Sequence, residues 1–305
     1  SSAASDVYKR QPLTPGNFGY SVLRASTQSS NFIELMDWCR RMDCDIEGLH
    51  CETGPGVWEA ALQSHTGVEA ADRANIFKTF AKVFFQKRDL MATFMAKWSM
   101  QYPGQSGHFH FSVCDANDVN IFADGTAPQG MSEAQRFAVG GLQRYLPELL
   151  PMLAPTINSY TRLVKGAWAP TSATWGVENR TAAIRVIPGG ASSQRIECRV
   201  GGADANPYLV AAAVLSAGLA GIRERQEPES AVQGNAYELE DSLPAYLRFA
   251  SNLGDAAEKM DGSKLARASL GDEFVDHFVM SRRWEVQEYQ RSLNNWQLQR
   301  YFEII

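Results

Sequence analysis

The sequence predicts an α+β fold with a largely antiparallel sheet. Short strand-like segments occur early and in the middle of the chain, helical segments lie between them, and no regular strand–helix–strand alternation is present. The 305 residues are 45% hydrophobic and 21% charged, which is typical of a globular protein with a sizeable core. This composition excludes disordered, collagen-like and disulfide-stapled chains.

The first half of the chain combines helices with short strands. Apolar residues at a helical period predict helices over 31–42 and 70–86, and strands are predicted over 45–52 and 57–62, around a Gly-Pro-Gly turn. Further strands are predicted over 91–97 and 108–114. Ser132 is a suitable N-cap for a helix, and we expect that helix to end at Pro147.

The second half begins with loops and short strands and ends with helices. Strands are predicted over 181–187 and 194–200. Asn206 and Pro207 open an apolar helix, because proline is tolerated in the first helical turn. A polar stretch follows from residue 226, and helix is expected from 244 to the end. We find no internal repeat and no long linker, so residues 12–305 are expected to form one domain.

Charge and cysteine content limit the partners of the protein. The net charge of −5 provides no broad positive field, so we expect no nucleic-acid partner and only a local phosphate site. The five cysteines are odd in number and form no CxxC pair, which favours free thiols in a reducing cytoplasm. The longest uncharged run, 208–222, is shorter than the roughly 20 residues of a membrane span.

Residues 1–11, SSAASDVYKRQ, are set aside from the fold prediction. They contain no apolar stretch of the kind found in secretory signals. They resemble a translated adaptor sequence, and we expect a non-native leader here, with the natural protein continuing further upstream.

The predicted strand 194–200 contains several charged residues that could bind a metal or an anion. Alternation places Arg195, Glu197 and Arg199 on one face and the apolar side chains on the other. Two interpretations are open. The face is either a solvated surface of paired charges or an acidic metal ligand flanked by arginines that hold carboxylate or phosphate.

Other residues suit metal or phosphate chemistry. His108 and His110 share one strand face, and imidazole binds metals or phosphate near neutral pH. Glu52 and Glu59 bracket a glycine turn that lets both carboxylates approach one hard cation, although most glutamates are surface residues. The remaining candidates are arginines: Arg162 in a loop or short helix, and Arg180 and Arg185, which a straight strand would place on opposite faces.

Neither GxGxxG nor a P-loop motif occurs, so a nucleotide would be bound through metal and arginine.

Several motifs in a fixed order resemble the glutamine synthetase catalytic domain. They are ETGPGVWE at 52–59, SGHFHFS at 106–112, APTINSYTR at 154–162, WGVENR at 175–180, RIECR at 195–199 and NPYL at 206–209. The resemblance is strong over residues 49–222 and looser in the C-terminal helices. It implies an α+β catalytic domain with a curved, largely antiparallel sheet flanked by helices.

The resemblance also implies an activity and a set of site residues. Such proteins are ATP-dependent ligases that convert the γ-carboxylate of L-glutamate to an acyl phosphate and then to an amide, with Mg²⁺ or Mn²⁺, as homo-oligomers of stacked rings. By position the implied roles are Glu52 and Glu59 as ligands of one ion, His108 and Glu197 as ligands of a second, His110 and Ser112 as nucleotide contacts, Gly104, Arg162 and Arg199 as glutamate contacts, and Arg180 and Arg185 on the phosphate side.

Two departures from the family concern segments that the family has and this sequence lacks. The family supplies further glutamate ligands from an upstream strand, and a small N-terminal β-domain that completes a neighbouring active site. Neither is found in this sequence, so we expect the chain as given to be an incomplete enzyme.

The third departure is chemical. Members of the family that form glutamine place a glutamate six residues after Arg162, where it attracts ammonium and accepts its proton; Trp168 stands here instead. Indole has no charge and no base but offers an apolar face to an organic amine. We therefore predict a γ-glutamyl amide ligase using an alkyl, aryl or polyamine. The alternatives are a glutamine synthetase in which Trp168 only packs the loop and Glu178 serves ammonium, a catalytically silent structural relative, and a general nucleotide-binding module.

Overall fold

The computed structural model describes residues 11–304, which divide by their contacts at residue 105 into two compact units. Unit 1 ends at Gln105 and unit 2 begins at Ser106. The expected leader over 1–11 lies outside the described residues except for its last position. None of the helices in residues 11–304 combines the length and the apolar character of a membrane span. All five cysteines lie in that part, and each is a free thiol.

Unit 1 packs two main helices beside a β-hairpin. The predicted helices and hairpin strands are confirmed within two residues at each end. Its core joins Phe32 and Leu35 of the second helix to Phe84 of the third, together with Ile46 at the start of the hairpin. The elements are α1 (Val22–Thr27), α2 (Ser29–Arg41), β1 (Ile46–Cys51), β2 (Trp58–Leu62) and α3 (Glu69–Gln86).

The antiparallel pair β1–β2 contains a β-bulge. Ile46 pairs with Leu62, but Gly48 already pairs with Ala61, so β1 carries one extra residue in this interval. Beyond the bulge the register is regular and places His50 directly opposite Glu59.

Unit 2 contains a four-stranded sheet in the order β3–β6–β5–β4. The pairs β3–β6 and β5–β6 are antiparallel and β4–β5 is parallel, which confirms the largely antiparallel class. Three strands are shorter than the sequence predicts: β3 (Phe109–Phe111), β5 (Ile184–Ile187) and β6 (Arg195–Cys198). The strand β4 (Trp175–Val177) was not predicted.

Helices cover the apolar side of this sheet. The long helix α4 packs along α6, and their backbones touch at two glycines. A Cβ on Gly141 would lie 2.2 Å from the Ala217 carbonyl oxygen, and one on Gly221 would lie 2.2 Å from that of Phe137. The helices of unit 2 are α4 (Glu133–Leu153), α5 (Ser159–Arg162), α6 (Pro207–Glu224), α7 (Leu253–Asp261), α8 (Lys264–Leu270), α9 (Asp272–Gln290) and α10 (Asn295–Tyr301).

Helix boundaries follow the capping chemistry, with one correction. The Ser132 Oγ accepts from the Gln135 N–H at 3.1 Å, as expected of an N-cap, and Asn206 caps α6 in the same way. The predicted end at Pro147 is wrong, since α4 continues through Pro147 and Pro151 to Leu153. Burial of the leucines of that stretch offsets the roughly 3 kcal/mol that each interior proline costs.

Three further predictions need correction. Residues 91–97 form no strand, because their backbone bonds to Gln105 instead of to a ladder: Gln105 N donates to Ala96 O at 2.7 Å. Arg180 lies in the turn after β4, not on the strand with Arg185, which begins only at Ile184. The C-terminal helices begin at Leu253, after a series of short 3₁₀ turns over 236–247, and not at 244.

Candidate active site

Glu197 lies at the centre of a buried charge cluster in unit 2. Its strand β6 is flanked by β3 and β5, so His110 and Arg185 are its direct cross-strand partners. Glu197 is 2% exposed, and its apolar strand neighbours Ile196 and Cys198 are fully buried on the opposite face. The solvated-surface interpretation of this face is therefore wrong, because the carboxylate is enclosed by its partners.

Both oxygens of Glu197 accept hydrogen bonds from cationic or imidazole groups. Arg185 donates through Nη1 to Oε2 at 2.9 Å, Arg199 donates through Nη1 to Oε1 at 2.6 Å, and His108 Nδ1 lies 3.1 Å from Oε1. Burial alone would raise the pKa of Glu197, but the His108 hydrogen bond and the Arg199 charge outweigh burial and hold that pKa well below its usual range. The carboxylate therefore stays anionic at neutral pH.

His108 and His110 both face Glu197, as their two-residue spacing predicts. The Nε2 atom of His108 is buried without a hydrogen-bond partner among the described residues, and a buried unpaired polar atom is costly. His110 is more exposed, and its Nε2 lies 3.8 Å from the Glu197 carboxylate. One strand face thus presents two imidazoles to one carboxylate.

Arg195 fixes the tautomer of His110, a contact that the sequence analysis did not foresee. Arg195 Nε donates to His110 Nδ1 over 3.3 Å, and since a guanidinium can only donate, Nδ1 is the acceptor nitrogen. Partial burial and the nearby charges of Arg195 and His108 lower the pKa of His110 to about 4. The ring is therefore neutral at pH 7 and carries its proton on Nε2.

Two buried arginines each retain a free N–H group. Arg162, at the end of α5, is 1% exposed and donates to Ser106 Oγ at 2.9 Å and to the Val200 carbonyl. The Nε atoms of Arg162 and Arg199 are buried without a partner in the described part of the chain. Burial lowers the pKa of Arg162 to about 10, so the group remains charged at pH 7. Unpaired cationic donors of this kind suit a carboxylate ligand.

The remaining predicted residues of unit 2 lie nearer the surface. Arg180 is exposed, and no ion pair involves it within residues 11–304. Ser112 is exposed just beyond β3. Trp168 is 60% exposed in an irregular loop and has a φ of +57°, which non-glycine residues rarely adopt. Glu178 is ion-paired with Arg185, so the carboxylate that the alternative prediction assigns to ammonium already has a cationic partner.

Unit 1 carries a second cluster, on the β1–β2 hairpin. Glu52 and Glu59 converge there with His50, and ligand atoms of the three residues all lie within 4.8 Å of one another. Burial would raise the pKa of Glu52, but hydrogen bonds from the Thr53 N–H, the Tyr20 hydroxyl and His50 lower it. The sequence analysis missed His50, although its two-residue spacing from Glu52 was a usable signal. Gly104 lies in an irregular, half-buried segment of the same unit.

The residues of both clusters fit divalent cations. The hairpin offers two carboxylates and one imidazole, which are ligand types for Mg²⁺ and Mn²⁺. In unit 2 the Nε2 atom of His108 is buried without a hydrogen-bond partner among the described residues, beside the Glu197 carboxylate, whose pKa is held low. Each unit therefore presents side chains of the types that bind divalent cations, and unit 2 adds arginines of a type that binds anions.

The chain thus has mixed helices and sheets, and its strands present carboxylate, imidazole and guanidinium groups. A family model described as "Glutamine synthetase, catalytic domain" matches residues 4–301, so the chain belongs to the glutamine synthetase family. Among solved structures, a complex of GmaS with ADP superposes with a TM-score of 0.86 at 28% identity, over 95% of this chain and 67% of that one.

Some similar proteins are named glutamine synthetases, and others are named ligases that use an organic amine. Type-1 glutamine synthetase 2 of Dictyostelium discoideum is 45% identical over 297 residues, which are 97% of this chain and 56% of that protein. The glutamate–isopropylamine ligase of a Pseudomonas species is 35% identical over 305 residues, all of this chain and 66% of that protein. The chain therefore spans less than two thirds of the length of either relative.

Proposed function

We propose that this chain is the catalytic part of an ATP-dependent ligase that joins the γ-carboxylate of L-glutamate to an organic amine. Family membership supports the reaction class, and the buried cluster around Glu197 supports a working site. Trp168 is the observation that carries the choice of amine. The proposal includes a homo-oligomeric assembly, as the resemblance implies.

The reaction has two balanced steps. An oxygen of the glutamate γ-carboxylate attacks the terminal phosphorus of ATP, and the bond to the leaving ADP breaks, which gives γ-glutamyl phosphate. The amine nitrogen then attacks the γ-carbon, phosphate leaves with the electron pair of the C–O bond, and the nitrogen loses a proton to give the amide. Glu52 with Glu59, and His108 with Glu197, would each hold a divalent cation, which would supply positive charge during phosphoryl transfer.

The arginines divide into two groups in this proposal. Arg162 and Arg199 bind the carboxylates of glutamate through their unpaired buried N–H groups. Gly104 is included as a glutamate contact because the family resemblance implies it. Arg180 and Arg185 offset the charge that develops on the transferred phosphoryl group. Arg185 is held in place by its two carboxylate partners, whereas exposed Arg180 is available to a ligand.

The nucleotide is assigned to the face of β3. His110 is neutral and offers its Nε2–H as a donor, and Ser112 is exposed on the same side two residues later. A donor and a hydroxyl at this spacing suit the phosphate or ribose oxygens of ATP.

Trp168 supports an organic amine over ammonia. Its indole is largely exposed, provides no general base, and can contact alkyl groups or a cationic amine through its ring face. Glu178, the carboxylate that could replace the missing glutamate, is committed to Arg185. The glutamate–isopropylamine ligase among the relatives is consistent with this assignment.

Ammonia is the second candidate acceptor, because the Dictyostelium relative, at 45% identity, is named a glutamine synthetase. The deciding experiment measures phosphate release from ATP and L-glutamate by the whole protein that the gene encodes. Ammonium is compared with alkylamines, anilines and polyamines at matched concentrations.

We expect one organic amine to give a kcat/KM at least about tenfold above that of ammonium, a difference of about 1.4 kcal/mol. Trp168→Glu should shift the preference toward ammonium, and Trp168→Phe, which keeps an aromatic face, should retain the amine preference. Best turnover with ammonium would identify a glutamine synthetase. An unchanged preference in Trp168→Glu would show that Trp168 does not select the amine. A protein that binds ATP with metal but releases no phosphate with any acceptor would be the silent structural relative.

A further inference from the structure

His50 lies on the same face of the hairpin as the two predicted metal ligands. The register places His50 opposite Glu59, and Glu52 follows two residues later, where strand alternation returns to the same face. His50 Nε2 is 3.2 Å from Glu52 Oε1 and 3.7 Å from Glu59 Oε2. Donor atoms that share a small divalent ion at about 2.1 Å are about 3 Å apart, so His50 Nε2 lies near that spacing from a carboxylate oxygen of each glutamate.

Tyr20 holds this arrangement from a separate part of unit 1. Its backbone N–H donates to the Cys51 carbonyl at 2.7 Å, and its ring stacks on His50 with 5.1 Å between centroids. The Tyr20 hydroxyl also hydrogen-bonds to Glu52. Tyr20 has a φ of +59°, an unfavourable value for a non-glycine residue, and such strain persists only where the surrounding contacts impose it. Both ligand side chains are therefore oriented by one aromatic residue.

We infer that His50 is a nitrogen ligand of the ion bound by Glu52 and Glu59, and that this nitrogen makes the site prefer Mn²⁺ to Mg²⁺. The inference rests on the proposed function for the two glutamates; His50 and the ion preference are new. Imidazole nitrogen favours first-row transition ions, whereas Mg²⁺ strongly favours oxygen ligands. Loss of the imidazole should therefore weaken Mn²⁺ binding more than Mg²⁺ binding.

Ion binding by the 305-residue chain tests this inference without any measurement of activity. Free Mn²⁺ is followed by electron paramagnetic resonance during titration, and Mg²⁺ affinity is obtained by competition. The variants are His50→Ala, His50→Gln and Glu59→Gln. His65→Ala is the matched control, since His65 is a histidine of the same unit with a glutamate, Glu69, 3.9 Å away. Circular dichroism melting verifies that each variant is folded.

We expect His50→Ala to weaken Mn²⁺ binding at one site by about tenfold or more and Mg²⁺ binding by less than about twofold. His50→Gln should resemble His50→Ala, Glu59→Gln should weaken both ions, and His65→Ala should change neither. In a His108→Ala background, which removes the unit 2 imidazole ligand, Mn²⁺ bound at the hairpin should retain a nitrogen hyperfine coupling that His50→Ala abolishes.

Two results would overturn the inference. Equal weakening of both ions by His50→Ala would make His50 a partner of Glu52 and not a ligand. An unchanged Mn²⁺ affinity in His50→Ala would remove it from the site. Neither result affects the glutamates, whereas failure of Glu59→Gln to weaken either ion would also refute the metal assignment in the proposed function.

Discussion

Arg185 and Glu197 are direct partners in the antiparallel ladder of β5 and β6, with Arg185 Nη1 2.9 Å from Glu197 Oε2. Arg199 binds the other oxygen of the same carboxylate, so two guanidinium groups share one buried negative charge. Removal of that charge would leave both cations in a poorly solvated environment, which is the most costly way to break a buried ion pair.

Glu197→Gln is therefore expected to destabilise the protein by about 3 kcal/mol, in addition to abolishing cation binding by unit 2. Glu178→Gln is the matched control, because Glu178 pairs with the same Arg185 but is half exposed, and should cost less than about 1 kcal/mol. Urea denaturation of the metal-free proteins measures both values. Equal losses of stability in the two variants would show that burial of Glu197 does not strengthen its ion pairs with the two arginines.

Stability should fall as the pH decreases from 6.5 to 4, because the folded state keeps His110 neutral. The pKa of His110 is lowered from its ordinary 6.5 to about 4, so in this window the unfolded chain binds a proton that the folded protein does not. The free energy of unfolding, measured by urea at several pH values without metal, should decrease less steeply in His110→Gln. Identical slopes in the two proteins would contradict the assigned neutral ring.

Gly141→Ala should destabilise the α4–α6 contact by about 3 kcal/mol, since the new methyl group would overlap the Ala217 carbonyl and the helix backbones would have to separate. Gly218→Ala in α6 is the control. Its Cβ would meet Phe111 at 3.7 Å, an ordinary contact, and alanine is the better helix former by up to about 1 kcal/mol. Thermal melting of both variants provides the comparison, and equal melting temperatures would refute the close crossing.

Arg180→Gln should reduce phosphate release by about 100-fold and leave the free energy of unfolding within about 0.5 kcal/mol of the wild type. The reason is that Arg180 is exposed and makes no ion pair within residues 11–304, so its loss removes a ligand contact and no structural contact. Arg223→Gln, another exposed arginine of unit 2, should affect neither quantity. Full activity of Arg180→Gln would remove Arg180 from the phosphate side.

The sequence predicts those parts of the site that depend on local periodicity. Arg195, Glu197 and Arg199 share a face because side chains alternate along any strand, and the ordered family motifs indicate which of them bind ligands. Burial of Glu197 was not predictable in this way. It depends on β6 lying between two other strands, and that order is a long-range property of the sheet.

The errors have the same origin. Pro147 is a reliable helix breaker only when local preference decides, and in α4 tertiary burial decides instead. Residues 91–97 have strand-like composition but no partner strand to pair with. The spacing of His50 from Glu52 was a local signal that the sequence analysis missed, whereas its place opposite Glu59 depends on the hairpin register.

The extra residue in β1 determines which side chains of the strand face the core and which lie beside Glu59. In a regular strand Ile46 and His50, four positions apart, would point to the same side, so an apolar core residue and a metal-binding residue would compete for one environment. The bulge between Ile46 and Gly48 reverses the alternation once, and Ile46 is buried while His50 remains accessible beside Glu59. Regular pairing of these same residues, without the bulge, would put Ile46 and His50 on one face and so oppose core packing to ion binding; the bulge is therefore as much a functional requirement as the identity of the ligands.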